Sequence, residues 1–337
     1  MDYKQSAIAA ELRRRIADGV YPDRLPTTVE LAREFGVNPK TMSKSLTRLV
    51  ESGLLERRRK SGIRLRHDAA AVFADRLVEV IFEGSSSIFV HPFWSDIWLG
   101  ILAVLSDAGY RTVLTPLTAD PATGMLDMEH FSSCGSAGKI VLGVSEPVFL
   151  RRIAASGVPC IAGCDPIDNS DIAQITFDFT GGIRDAVAFL HADGCREIGF
   201  IGMVQSMTGM RVLNKYAGYL KAVQEYQQAD PRLIEHARPL AGHGAAAARR
   251  LLGRVRPDAL LIACDSQLGE ITEVLRENNL QIPVIGCDGL PLPQFSAARR
   301  TVDAPRRFCG ELLARNLLAA VDGGGAPQSQ VLEAHFR

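Results

Sequence analysis

Lys40, Thr41, Ser43, Lys44, Thr47 and Arg48 crowd cation and hydroxyl donors into one short stretch. Steps of about 100° per residue gather them on one side of a helix, opposite Met42, Leu46, Leu49 and Val50. Ammonium, guanidinium and hydroxyl groups donate to phosphate oxygens and to base edges, so that side suits a nucleic-acid duplex. A second cationic group follows at Arg57, Arg58, Arg59 and Lys60, closed by Ser61-Gly62. At a hairpin tip it would reach phosphates or a minor groove. Each group also has a plainer reading, an ordinary solvated helix face and a nonspecific basic loop.

Such donors act together only on a helix that is fixed at its start and backed by others. Asn38 caps free backbone N–H groups, and Pro39 suits the first helical position, where no N–H is required. Before it, Thr27 or Thr28 caps a short helix through Leu31 and Ala32 that stops at Phe35-Gly36. Ile8, Leu12, Ile16 and Val20 form the stripe of an earlier helix, ended by Gly19 and Tyr21-Pro22. After Gly53, Leu54-Leu55-Glu56 and Ile63-Arg64-Leu65 pair as strands around the basic run. Helix, turn, helix and charged hairpin make a winged helix-turn-helix over residues 1–67. Its DNA-facing set is Thr27, Thr28, Asn38, Lys40, Thr41, Ser43, Lys44, Arg58, Arg59, Lys60 and Ser61. This head holds 15 Lys/Arg against 8 Asp/Glu and the remainder 23 against 30, so the head is the natural partner of a polyanion.

Over residues 8–66 the chain resembles the winged-helix domain of the GntR family of bacterial transcription regulators. The residues that carry the likeness are Arg24-Leu25-Pro26, Leu31-Ala32, Val37-Asn38-Pro39-Lys40-Thr41, Leu49, Gly53-Leu54-Leu55 and Ser61-Gly62. Val29 stands where members often have Arg, and Asn38-Pro39 replaces a common Ser-Arg opening of the recognition helix. The resemblance therefore implies DNA binding with an operator that differs from the family's common one.

Residues 68–83 read as a linker helix on Val72, Leu77, Val78 and Ile81, with Gly84-Ser85-Ser86-Ser87 as a joint. This segment, residues 68–84, either packs on a partner subunit or only links domains. Beyond it, candidate strands at 87–90, 112–114, 139–144, 159–162, 172–177, 197–202, 259–262 and 284–287 alternate with helical stretches. Such alternation predicts an α/β body over residues 85–337, with parallel sheets covered by helices on both faces.

That body resembles the sugar-sensing domain of LacI-type regulators, related to type I periplasmic binding proteins. The matching residues include Gly157-Val158-Pro159, Phe177-Asp178, Gly194-Cys195-Arg196-Glu197-Ile198-Gly199, Arg211 with Gly218-Tyr219, Cys264-Asp265-Ser266-Gln267, and Ile285-Gly286-Cys287-Asp288. The resemblance implies two lobes with a sugar-like effector between them, beyond the carboxyl ends of the strands. Asp178, Asp265 and Asp288 each sit at or just past the end of an apolar strand and accept sugar hydroxyls there, while Arg211 brings a fork of donors. Lys215 or Asn214 competes with Arg211 for that place. Phe93, Trp94 and Trp98, read as preceding the first body helix, either stack on a sugar face or fill the lobe core. Asp178 and Asp288 likewise either meet the effector or cap a strand–helix turn. Cys195, where relatives usually carry His, sits at a helix–strand turn that bears little on a ligand.

Other chemistry finds little support. The sequence has no G-x-S-x-G elbow, H-E-x-x-H or P-loop, and Gly242-His243-Gly244 reads as an ordinary turn before a helix. Seven scattered histidines and seven cysteines without a C-x-x-C pair point to no metal and to reduced thiols. Lys139, Lys215 and Lys221 lack a Schiff-base context for pyridoxal phosphate, so no cofactor is expected. The charged N-terminus and the absence of a bilayer-length apolar run predict a cytoplasmic protein with no membrane partner. The expectation is a ligand-responsive transcription repressor, not an enzyme, acting as a homodimer on double-stranded operator DNA. Two alternatives stand beside it: a cytoplasmic sugar-binding or sugar-handling protein, and a DNA-binding dimer whose body takes no ligand.

Overall fold

The computed structural model describes residues 8–9, 11–12, 15–16, 20–21, 25–51, 55–58, 62–65, 76–83, 92–117, 135–144, 146–164, 172–204, 214–226, 229–238, 240–292, 300–323 and 325–337. They divide into two compact units, one holding the head together with the described residues at 76–78, 109–111 and 135–137, the other the rest of the two-sheet body.

In the head, residues 8–9, 11–12 and 15–16 are helical, followed by α1 (Thr28–Glu34), α2 (Pro39–Glu51) and an antiparallel hairpin of β1 (Leu55–Arg58) and β2 (Gly62–Leu65). Leu12, Leu31, Met42, Leu46, Leu49 and Leu55 form its core, each at most 1% exposed. Full burial of such side chains stabilises by about 1.5–3 kcal/mol apiece, which is what holds so small a unit together. Gly36 takes the left-handed φ of +61° that stops α1. Val20 departs from the expected stripe, lying in a bend and 54% exposed.

Among the described residues the body is built on two six-stranded sheets. The N-lobe sheet contains β3 (Leu77–Glu83), β4 (Arg111–Leu117), β5 (Gly138–Leu142), β6 (Cys160–Cys164), β7 (Ala173–Asp178) and β13 (Gln330–Glu333), in the order β13-β7-β6-β5-β3-β4. The C-lobe sheet contains β8 (Ile198–Gly202), β9 (Ile234–His236), β10 (Ala259–Ile262), β11 (Val284–Asp288), β12 (Thr301–Asp303) and β14 (His335–Phe336), in the order β14-β12-β11-β10-β8-β9. All its neighbours are parallel except β12 with β14. The helices are α3 (Pro92–Asp107), α4 (Pro147–Ala154), α5 (Thr180–Ala192), α6 (Asn214–Gln224), α7 (His243–Leu252), α8 (Leu268–Glu277) and α9 (Arg306–Val321).

Among the described residues the chain passes between lobes at 178–180, 303–306 and 333–335. The first and third passages are joined, since Ala334 N donates to Asp178 O at 2.8 Å. On the N-lobe, α9 crosses α3 with the two backbones in contact. A Cβ on Gly100 would stand 2.2 Å from Arg307 O, and one on Gly310 2.0 Å from Ile97 O. Within the same lobe Lys139 and Glu79 make a buried ion pair at 2.7 Å.

The linker-helix expectation for 68–84 is corrected at its end, because Leu77–Glu83 is a strand. Leu77, Val78 and Ile81 have helical spacing, but they sit in a nearly unbroken apolar run, and a strand buried on both faces reads the same way. The strand expected at 87–90 lies outside the described residues. Strands β9, β12, β13 and β14 were not foreseen. No helix among the described residues is long and apolar enough to cross a membrane.

Candidate functional site

The head presents its donors as the capping chemistry dictates. Thr27 and Glu30 form a capping box on α1: Thr27 Oγ1 accepts from Glu30 N at 3.3 Å, and Thr27 N donates to the Glu30 carboxylate at 2.7 Å. Asn38 Oδ1 accepts from Lys40 N at 2.8 Å and so fixes the start of α2. With Met42 and Leu46 sealed inward, Lys40 and Lys44 stand exposed and Thr41 and Ser43 half-buried beside them. Thr28 is half-buried at the start of α1, and Val29 next to it is 57% exposed. Arg57 Nη2 donates to Thr47 Oγ1 at 3.0 Å, which ties the hairpin to α2. The backbone of Arg58 pairs with Gly62 in that hairpin; its side chain, Arg59, Lys60 and Ser61 lie outside the described residues.

In the body, the polar group of interest forms where β10, β11 and α6 meet. Asp288 ends β11 at the left-handed φ of +106° and is 2% exposed. Lys215, from the first turn of α6, donates to the Asp288 carboxylate and to Ala263 O, the latter at 2.7 Å, and lies 4.3 Å from the centroid of the Phe179 ring. Burial alone would lower the Lys215 pKa, but the Asp288 carboxylate more than offsets it and holds the ammonium charged. Beside them the Cys264 thiol meets the Ser266 hydroxyl at 3.0 Å. Burial, reinforced by Asp288, pushes that thiol up to about 12, which leaves it unreactive.

The other two carboxylates have different duties. Asp178 accepts from Thr180 N at 2.8 Å and from Asn214 Nδ2 at 3.5 Å, so it ties the start of α5 to the start of α6. Burial would raise its pKa, yet the bonds from Thr180 and Asn214 outweigh this and hold it below the usual carboxylate range. Asp265 departs from the expectation that it faces a cleft. It is fully buried and accepts from Leu290 N at 2.8 Å and Thr301 Oγ1 at 3.4 Å, bracing the loop after β11.

Phe93, Trp94 and Trp98 lie inside α3, not before it. Phe93 meets Trp94 at 5.1 Å and Phe177 at 6.0 Å, and Phe177 continues the row to Phe179 at 6.1 Å. Gly143 makes room for the Trp94 indole, since a Cβ there would stand 2.9 Å from the ring. Trp98 is half-buried, and five residues of helix turn it about 140° away from Phe93. Arg211 lies outside the described residues; of its two competitors Lys215 reaches Asp288, while Asn214 Oδ1 accepts from Phe179 N at 2.8 Å. Sequence reasoning missed Phe177 and Phe179 as site residues because an aromatic at or just past the end of an apolar strand reads simply as core. The glycine turn at 242–244 is filled by a carboxylate of the protein itself, Glu270, which accepts from Gly242 N and Gly244 N at 2.7 and 2.8 Å. A cavity of about 410 Å³ opens beside Asp178, Thr180, Gly181, Lys221 and His335 and does not include Lys215 or Asp288.

Residues 4–65 match the family model of the bacterial regulatory proteins of the gntR family, and residues 187–336 match that of the periplasmic binding protein-like domain. The chain joins a gntR-type helix-turn-helix head to a periplasmic-binding-protein-like body, the build of a ligand-responsive transcription regulator. This regulator is 29% identical over 280 residues to the HTH-type transcriptional regulator CelR of Thermobifida fusca, covering 78% of this chain and 79% of the relative. Its fold matches a solved CelR–cellobiose complex with a TM-score of 0.65 and 23% identity, over 93% of this chain and 98% of that one. It also matches the lac repressor dimer bound to operator and an anti-inducer, with a TM-score of 0.62 and 21% identity, over 77% and 92% of the two chains. The relatives it resembles are regulators and not enzymes.

Proposed function

We propose that this regulator represses transcription as a cytoplasmic homodimer, gripping operator DNA with α2 and the hairpin and releasing it when a small sugar-like effector closes the lobes. The observation that carries this reading is the outward cationic face of α2, capped by Asn38 and backed by Met42 and Leu46, on a chain that also holds a two-lobed body. Thr27, Thr28, Asn38, Lys40, Thr41, Ser43, Lys44 and Arg58 to Ser61 meet the DNA. Asp288, oriented by Lys215, accepts effector hydroxyls, and the aromatic row from Phe93 offers an apolar face. Arg211 joins the effector set, whereas Trp98, turned away from Phe93 on α3, does not; Asp178 holds the wall between α5 and α6.

The dimer sets the separation of the two heads, so that both recognition helices enter successive major grooves about 34 Å apart or a multiple of that. Support for a sugar comes from the cellobiose in the CelR complex, and support for a dimer on operator DNA from the lac repressor structure. An effector moves the DNA-bound population only by its differential affinity for the two states, and about 1–3 kcal/mol of coupling gives a 5–150-fold change. A thermal-shift screen with cellobiose and a set of monosaccharides tests the body, since a ligand at about 100 times its dissociation constant stabilises by about 2.7 kcal/mol. Operator titrations with and without the hit test the coupling. No stabilisation by any sugar, with operator binding intact, would leave a dimeric DNA-binding protein that senses nothing of this class.

A further inference from the structure

Arg306 opens α9 directly after the second passage between lobes and is 7% exposed. Its Nε and Nη2 donate to one Asp96 carboxylate oxygen at 3.1 and 2.9 Å. Nη1 donates to the Asp303 carboxylate at 3.3 Å and to Ala304 O at 3.4 Å, and Nη2 also reaches Gly289 O at 3.2 Å. These acceptors belong to different lobes. Asp96 lies in α3 of the N-lobe, two residues past Trp94, whereas Gly289 is the residue after Asp288 in the C-lobe. Gly289 is held tightly, with φ +68° and no room for a Cβ, which would stand 2.0 Å from Asp303 Oδ1. Asp303 is anchored from its other side by Arg337 Nη1 at 2.7 Å.

A guanidinium is a rigid planar fork, and its bonds near 3 Å do not survive a shift of about 1 Å in one acceptor alone. Leaving so buried a charge short of partners is costly, so the two sides move together or the fork lets go as a unit. That is a two-state element with one end beside Asp288 and the other on α3.

We propose that Arg306 is the positioning residue that couples the lobes, passing a displacement of the Asp288-Gly289 turn to α3 through Asp96. The inference rests on the reading of Asp288 as an effector contact.

The test is amide hydrogen exchange on the full chain without sugar, comparing the unaltered protein with Asp96→Asn, Arg306→Lys and the double variant. Asp96→Asn keeps the shape of a half-exposed side chain and removes its charge; Arg306→Lys keeps the charge and removes the fork. Each single variant should lose protection at least about fivefold, the lower end of ordinary intersite coupling, at residues 96–101 and also at 289–292 and 301–303. Amides of α7 and α8 should be unchanged, and the double variant should lose no more than the larger single effect. Loss confined to 96–101 in Asp96→Asn, or single effects that multiply in the double variant, would overturn the proposal. Because no sugar is present, this result is separable from the thermal-shift screen that tests the effector reading.

Discussion

Lys215 and Asp288, 73 residues apart in sequence, form an ion pair where the first turn of α6 meets the end of β11. The pair is asymmetric, with 21% of the Lys215 side chain exposed against 3% of Asp288. Asp288→Ala leaves the ammonium with Ala263 O and the Phe179 face as its partners, so part of its charge is uncompensated. Breaking a fully buried pair costs about 3–5 kcal/mol, and the exposure of Lys215 puts this loss at the lower end. Urea unfolding should report that loss. Operator affinity in anisotropy titrations should stay unchanged while release by sugar disappears; a variant that still responds would move the effector contact elsewhere.

Lys40 and Lys44 are exposed on the face of α2 opposite its core. If each neutralises one phosphate, Lys40→Ala and Lys44→Ala should each weaken operator binding at every sequence alike and reduce the slope of log affinity against log salt by about one. Thermal stability should barely move, since neither side chain is buried. Unchanged DNA affinity in both variants would remove α2 as the recognition helix.

The head was legible because its signals are local. Asn38-Pro39, Thr27 with Glu30, and the spacing of Met42, Leu46 and Leu49 each act within a turn or two of helix. The α/β alternation of the body was legible for the same reason. Asp265 and Asp288 show where that ends: each follows a cysteine at or just past the end of an apolar strand, and nothing adjacent distinguishes them. Their roles diverge because Asp265 turns under Leu290 and Thr301, 25 and 36 positions away. Arg306 was invisible for the same reason, its partner Asp96 lying 210 positions off. Strands of two to four residues, such as β12 and β14, are too short to show a period, and their pairing decides them.

Asp178 should give the body a distinct acid sensitivity. Its folded pKa lies below the usual value, despite burial, because Thr180 and Asn214 donate to the carboxylate. The unfolded chain therefore binds the proton more tightly than the folded one. Stability from this group is complete above the ordinary carboxylate range, near 3.9, and is lost as pH falls through the depressed folded value. Asp178→Ala should cost about 1 kcal/mol at neutral pH, as loss of a helix cap does, and should flatten the acid limb of stability against pH. Urea midpoints between pH 6 and pH 3 check both; identical pH dependence in the two proteins would show that the carboxylate is not held this way.

Gly100 and Gly310 let α3 and α9 touch backbone to backbone, and any side chain there must push the helices apart. A methyl at Gly310 would meet Ile97 O at 2.0 Å, a rigid neighbour that cannot rotate away. Gly310→Ala should therefore destabilise the body by about 1–3 kcal/mol or more, as overpacking does, against the small gain that alanine normally brings inside a helix. Because α9 follows the second passage between lobes, the displacement should also disturb Arg306 at its start. Calorimetry should show the body melting earlier with the head transition unchanged, and operator binding by the folded fraction should persist while its response to sugar weakens. A body transition at the original temperature would mean that the helices separate freely, and that this crossing does not hold the N-lobe.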